Sequence, residues 1–504
     1  MASTTLKVRI GIATLCALTF SACSNTPSAR QTARDAVTAM GGAEKLAGVQ
    51  TLIMKGAGTR AALGQAVKAG DPERVGELTN VTETVDLANG RAAMDYDINL
   101  NPFMQHRHEV ITRLGDRPVG IEMTSGRDTI AVSPEGVFSW GVYNSPEFLL
   151  RRNLVTVALG AVESASDSQP AGDKEFGGKM AKSIPFTTKS GEDVTLYVDP
   201  QTKLPLGFET LDTETMLGDV QAVYAFDDYK AEGELTLPHR LTIRKGGNDY
   251  SSIQYASIAV NEAAAPEAFV IPADITKEAE RAAAGDYVPL TLNKAADGVY
   301  QALAFSHNSM VVEFPEFMAV VEAPYTELQS KVLERLIKEQ FPGKPIKYVA
   351  VTHPHYDHTG GVRYMAAIGA TILVEKGQEA AMKAILDAPH TKPPDTLAAR
   401  RAASEPVGAM EVFSEKKVIS DGGQSLELYG FTGSPHVEPM VMAYVPRSRV
   451  LFQSDLFFPG AGGGGPAAEQ LLATIRKLNL PVNTMIGGHG GVGPFSELVQ
   501  AASR

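Results

Sequence analysis

Cysteine is almost absent from this chain of 504 residues: there are 2, Cys16 and Cys23, both near the N-terminus. The body of the protein therefore has no disulfide framework and no thiolate to offer a metal ion. Tryptophan occurs once, as Trp140, and a lone indole is expected in a core rather than on a binding platform. Basic runs and basic patches interleaved with aromatics are also missing. With a formal net charge of −12, the chain is a poor partner for nucleic acid and is expected to act on small organic molecules. The apolar stretch Ile10–Phe20 is too short to span a bilayer as a helix. Histidine is scarce, with 10 residues in all, so its distribution is informative.

Three of those histidines fall in Thr352-His353-Pro354-His355-Tyr356-Asp357-His358-Thr359-Gly360-Gly361, where the apolar run Ile346–Val351 stops and a glycine pair begins. Neutral imidazole and carboxylate suit zinc and its first-row neighbours. A pair two apart plus an adjacent pair cannot all face one ion, so the HxHxDH spacing predicts two. His353 and His355 point the same way from extended backbone, while Asp357 and His358 fall on the turn into a helix and address the second ion. Further ligands must come from elsewhere. His436, Asp455 and His489 each end an apolar stretch and read as strand-end residues.

HxHxDH, then a lone histidine, then a strand-end aspartate, then Gly488-His489-Gly490 resembles the ligand order of the metallo-β-lactamase superfamily over residues 290–504. The resemblance implies an αβ/βα sandwich with His353, His355 and His436 on one metal, Asp357, His358 and His489 on the other, and Asp455 bridging. Two zinc ions are expected, with iron or manganese as alternatives. Such a site stays open to solvent, and metal lowers the pKa of water from 15.7 to about 7, giving hydroxide for hydrolysis at neutral pH. Asp357 would be the catalytic residue that orients the hydroxide and carries a proton to the leaving atom. The expected substrate is an ester, lactone, thioester or amide. β-Lactams are not favoured, because no body cysteine is available and true β-lactamases with all-histidine sites usually lack the bridging aspartate. Three positions depart from the family pattern: Ser434-Pro435 before His436, Ser454 in place of glycine, and Glu322 where an aspartate usually supports the metal loop from behind. Glu322 is expected to take over that role with a longer arm.

The flanking segments complete the candidate domain. Ser309–Phe314 and Phe317–Glu322 read as a hairpin and Glu327–Gln340 as a helix. Residues 388–420 read as an irregular insertion, either a substrate lid or a surface loop. His307, just before the hairpin, is a candidate for the site mouth, whereas His106 and His108 read as an exposed strand face without acidic partners.

Lys7 and Arg9, the apolar stretch to Phe20, and Ser21-Ala22-Cys23 resemble a bacterial lipoprotein signal peptide over 1–22. That implies lipidation of Cys23, a tether over 23–30, and attachment to a lipid membrane on the periplasmic side, with Ser24 favouring the outer membrane. Residues 31–285 carry long alternating runs separated by turn signals such as Asn89-Gly90, Asp199-Pro200 and Gly246-Gly247-Asn248, so an antiparallel β-rich domain is expected there. Val198–Pro205 and Gly233–Arg240 faintly resemble periplasmic lipoprotein-sorting and carrier proteins, whose half-barrel sheets hold acyl chains; a packed accessory domain without ligand is the plainer alternative. The expected fold class is α+β. Two other functions stay open: a binding protein that keeps the fold without turnover, and a mononuclear-iron sulfur oxidoreductase on the same fold.

Overall fold

Side chains alternate between buried and wetter positions along most N-terminal strands, as in Leu235–Lys245, which is the pattern of sheets with one face on a core. In the computed structural model, residues 27–503 are described except 69–70, 101–103, 115–116, 125–126, 134–152, 274–275, 278–279, 281–289, 305–306, 393 and 463. The leader expected over 1–22, the lipidation site Cys23 and Trp140 lie outside the described residues.

Among the described residues, strands between Thr51 and Val260 form one antiparallel sheet of 13 strands. It consists of two meanders joined in the middle, where Thr51–Ala62 pairs with Asn248–Val260 on one side and with Arg74–Asp86 on the other. The predicted turns close hairpins: Asp86 pairs with Arg91, Val198 with Pro205 and Lys245 with Asn248. Helices Ala29–Ala39 and Leu154–Ser164 pack on the apolar face through Ala33, Ala36, Val155 and Ala158. Each is started by a side-chain cap, Ser28 and Asn153 respectively. The acidic partners missing from the local sequence around His106 and His108 come from the adjacent strand, where Asp97 lies 3.0 Å from His106 and Asp95 lies 3.2 Å from His108.

The C-terminal part is a four-layer sandwich. A 7-stranded sheet begins antiparallel and turns parallel from Met318–Val321 onward, and a 6-stranded sheet faces it. Strands such as Met440–Val445 are buried along their whole length, because helices cover the outer face of each sheet while the inner faces share one core. Val312, Ala350, Leu428, Ala443 and Phe452 meet in that core. Outside the first sheet lie helices Glu327–Gln340, Val362–Ala367 and Glu379–Asp387; outside the second lie Pro466–Lys477 and Phe495–Ala501. The helix predicted over Glu327–Gln340 is found with those bounds, capped by Thr326. Among the described residues no helix is long and apolar enough to cross a membrane.

Residues 388–420 are more regular than expected. They contain helix Thr396–Ala402 and strands Met410–Phe413 and Lys416–Asp421. The start of the segment docks on the N-terminal sheet, with Pro389 O accepting from Asp219 N at 2.5 Å and Thr391 N donating to Asp219 at 3.1 Å. These backbone partners tie it to a hairpin edge.

Candidate metal centre

Strand Ile346–Ala350 delivers the histidine-rich segment to the sheet end, and the short helix Tyr356–Thr359 carries Asp357 and His358. The glycine pair that follows is a packing requirement. A Cβ on Gly360 would lie 1.8 Å from the Tyr325 carbonyl, and one on Gly361 2.1 Å from Ser330 Oγ. Only bare backbone lets this turn press against the segment after the hairpin.

The seven groups named from the sequence come together. One ring nitrogen each from His353, His355 and His436 lies within 4.8 Å of the others. His353 Nε2 and His355 Nδ1 are buried without a hydrogen-bond partner, which is costly unless something else takes their lone pairs. Asp455 lies between this group and a second one. Its Oδ2 is 2.9 Å from His436 Nε2 and 3.9 Å from His353 Nε2; its Oδ1 is 3.1 Å from His358 Nε2 and 3.3 Å from His489 Nε2. Asp357 Oδ2 approaches His358 Nε2 at 3.8 Å.

Glu322 lies beneath. Its Oε2 is 2.9 Å from His358 Nδ1 and its Oε1 accepts from Thr352 Oγ1 at 2.5 Å. Ser454, at the position of the family's glycine, also reaches His358 Nδ1 at 3.1 Å.

The electrostatics suit cation binding. Burial, reinforced by His358 and His355, pushes His353 well below the usual histidine range; burial and His436 take His355 to about 4. Burial opposes charge on Asp357 and Asp455, but His358 and the other imidazoles outweigh it and hold both well below the usual carboxylate range. Neutral imidazole and ionised carboxylate are the forms that bind metal. His358 is the exception. Burial works against its charge, yet Asp455, Glu322 and Asp357 raise it well above the usual range.

The family model of the Metallo-beta-lactamase superfamily matches residues 303–489, ending on the last of the histidines. The C-terminal sandwich belongs to the metallo-β-lactamase superfamily. Most members of that superfamily are hydrolases. A curated relative, the 2,4-dinitroanisole O-demethylase subunit alpha of Nocardioides sp. (strain JS1661), is 26% identical over 165 residues, 32% of this chain and 43% of that protein. The match thus spans less than half the length of that relative. Among solved structures, the metallo-beta-lactamase from Pontibacter korlensis is 21% identical with a TM-score of 0.33, covering 42% of this chain and 97% of that one. The sec-alkylsulfatase Pisa1 from Pseudomonas sp. is 17% identical with a TM-score of 0.32, covering 42% and 40%.

Two contributors go beyond the seven groups named from the sequence, one not foreseen there and one expected only at the site mouth. The first is the loop between strands Thr51–Ala62 and Arg74–Asp86 of the N-terminal sheet, which lies over the metallo-β-lactamase site. Gln65 Nε2 donates to Asp357 Oδ1 at 2.6 Å, and Ala66 O is 3.0 Å from His355 Nε2, leaving Nδ1 as the free lone pair of that ring. The loop is braced from both sides. Glu73 accepts from the N–H groups of Gly64 and Gln65, both at 2.9 Å, Arg74 donates to His436 O at 3.0 Å, and Val67 O accepts from Glu438 N at 3.0 Å. Gly64 sits at φ +72°, with Met216 Sδ 2.7 Å from where a Cβ would be, so the loop's entry needs glycine. Groups that orient metal ligands are typically worth about 10–100-fold in affinity. Gln65→Leu is therefore expected to weaken metal binding by roughly that factor, read by competition with a chromophoric chelator. Unchanged affinity would remove Gln65 from the site.

The second is His307, buried, with Nε2 2.9 Å from Asp357 Oδ2 and its ring 3.9 Å from that of His489. Burial, then His489, takes it to about 3. Its scarcity and its position before a buried strand were the available signals in the sequence.

Proposed function

We propose that this chain is a two-metal hydrolase of the metallo-β-lactamase superfamily. The observation that carries the reading is the placement of Asp455, one carboxylate oxygen toward His353 and His436 and the other toward His358 and His489. A carboxylate split between two imidazole groups is a bridging ligand in form. His353, His355 and His436 would hold one ion and Asp357, His358 and His489 the other, two zinc ions being the assignment the donors favour, with iron or manganese as alternatives. Bound there, the ions supply Lewis acidity and lower the pKa of water to about 7.

The chain's own residues do the rest. Asp357, held ionised and gripped by Gln65 and His307, orients the attacking water and passes its proton to the leaving atom. Glu322 fixes the tautomer and direction of His358. The loop carrying Gln65 and Ala66 shields the two sites from one side. Esters, lactones, thioesters and amides are the proposed substrates. The relative named as an O-demethylase adds activated aryl ethers to the panel worth testing. The proposal includes export and an acyl anchor at Cys23, supported by the sequence Ser21-Ala22-Cys23 after an apolar stretch.

The test is metal analysis of the purified protein with hydrolysis assays across that panel. Two equivalents of metal are expected, with activity lost on chelation, restored by zinc, and absent in His355→Ala and Asp357→Ala. A metal-free protein, or full activity in both variants, would overturn the reading.

A further inference from the structure

We infer that the second metal position is a three-histidine site in which His307 joins His358 and His489 as a ligand, beside the carboxylates of Asp357 and Asp455. This deepens the two-metal reading and rests on it. One ring nitrogen each from His307, His358 and His489 lies within 4.8 Å of the others, the same closeness found among His353, His355 and His436. The rings of His307 and His358 are centred 4.8 Å apart. Asp357 Oδ2, which is 3.8 Å from His358 Nε2, is only 2.9 Å from His307 Nε2. His307 Nδ1 is buried without a hydrogen-bond partner. A histidine kept only for core packing has no reason to lie among two other imidazoles and a carboxylate with an unsatisfied nitrogen.

The backbone holds His307 in that position. Asn308 N donates to Gly488 O at 2.7 Å, and Asn308 Nδ2 donates to Gly487 O at 3.1 Å and Gly490 O at 2.8 Å, so the residue after His307 is tied to the loop that carries His489. Gln329 Nε2 donates to His307 O at 3.1 Å. The two histidines are thus held together by main-chain partners, and their spacing does not depend on the ion.

The consequence is a difference between the two positions. His353, His355, His436 and Asp455 make a four-donor set, the number a tetrahedral zinc ion takes. His307, His358, His489, Asp357 and Asp455 make a five-donor set of imidazole and carboxylate, suited to a first-row ion that accepts five or six ligands, such as iron(II), manganese(II) or cobalt(II). The pair is therefore expected to be chemically unequal.

The experiment uses the full chain reconstituted with cobalt(II), whose d–d absorption reports coordination. The wild-type protein is expected to bind two equivalents. His307→Ala is expected to keep one and to lose the other's affinity by more than about tenfold, with a changed spectrum that added imidazole restores. His307→Gln, which keeps a polar side chain in the buried position, guards against a folding defect and is expected to show the same selective loss. His436→Ala provides the complementary loss at the first position. Two equivalents bound by folded His307→Gln with a wild-type spectrum would overturn the inference, as would an unchanged spectrum in His307→Ala. A wild-type protein that binds no cobalt would instead sink the two-metal reading beneath it.

Discussion

Asp455→Ala is expected to lower the metal content from two equivalents to one or none and to reduce hydrolysis by at least about 100-fold, the upper end for groups that merely support a ligand. The reason is its double engagement: Oδ2 lies 2.9 Å from His436 Nε2 and Oδ1 3.1 Å from His358 Nε2, so removing one side chain takes a donor from each position. Single substitutions at His436 or His489 remove a donor from one position only and leave the other with its own set. Metal content by elemental analysis, measured beside turnover, separates these cases. If Asp455→Ala retained two equivalents and wild-type turnover, the bridging role would be wrong. Asp455→Asn adds a second check, because the amide keeps the volume and one oxygen. It is expected to retain a single ion, since one neutral oxygen and an N–H donor cannot serve two cations.

Glu322→Ala is expected to affect stability as well as metal. The Glu322 carboxylate is fully buried and bonded to His358 and Thr352. Removing one partner of a buried charged pair typically costs about 3–5 kcal/mol, so the metal-free variant should unfold at clearly lower denaturant than the wild type. Glu322 has φ +69°, a conformation as awkward for alanine as for glutamate, so backbone strain cancels in the comparison. Glu322→Gln distinguishes charge from packing. It keeps the length of the side chain and an acceptor for His358 Nδ1, and should recover much of the stability. It loses the negative charge that strengthens His358 as a ligand, and should still bind metal about 10-fold more weakly. Wild-type stability and affinity in both variants would mean that Glu322 does not support the loop.

The HxHxDH segment was legible because strand end, turn and helix start lie within ten residues, and side-chain direction over so short a span follows from backbone type. His436, Asp455 and His489 were legible by order: Asp455 and His489 lie two residues past the buried strands Val450–Gln453 and Thr484–Gly487, whereas His436 lies in the loop five residues past Gln424–Phe431, and strand ends of one sandwich gather at one edge. The helix Glu327–Gln340 and the hairpins around Asn89-Gly90 and Asp199-Pro200 were readable for the same local reason. The irregular reading of 388–420 fails because its prolines conceal a short helix capped by Asp395 and strands whose partners, Thr371–Glu375 and Gln424–Phe431, lie elsewhere in the chain. The acidic partners of His106 and His108 were missed because cross-strand neighbours are far apart in sequence until register is known.

Gln65 marks the limit most clearly. It is 292 positions from Asp357, it sits in a loop of small and apolar residues, and nothing in Leu63-Gly64-Gln65-Ala66 carries metal chemistry by itself. By itself the sequence determined the chemistry of the centre: two imidazole and carboxylate groups without thiolate, placed at strand ends of an αβ/βα sandwich. Those properties reside in composition and short-range periodicity, which each segment carries alone. The tertiary structure decided what surrounds that centre: the division of Asp455 between its two sides, Glu322 against His358, His307 beside His489, and the N-terminal loop above Asp357 and His355. These depend on how whole sheets dock, and docking is set by the sum of many weak packing contacts that no short stretch of sequence contains.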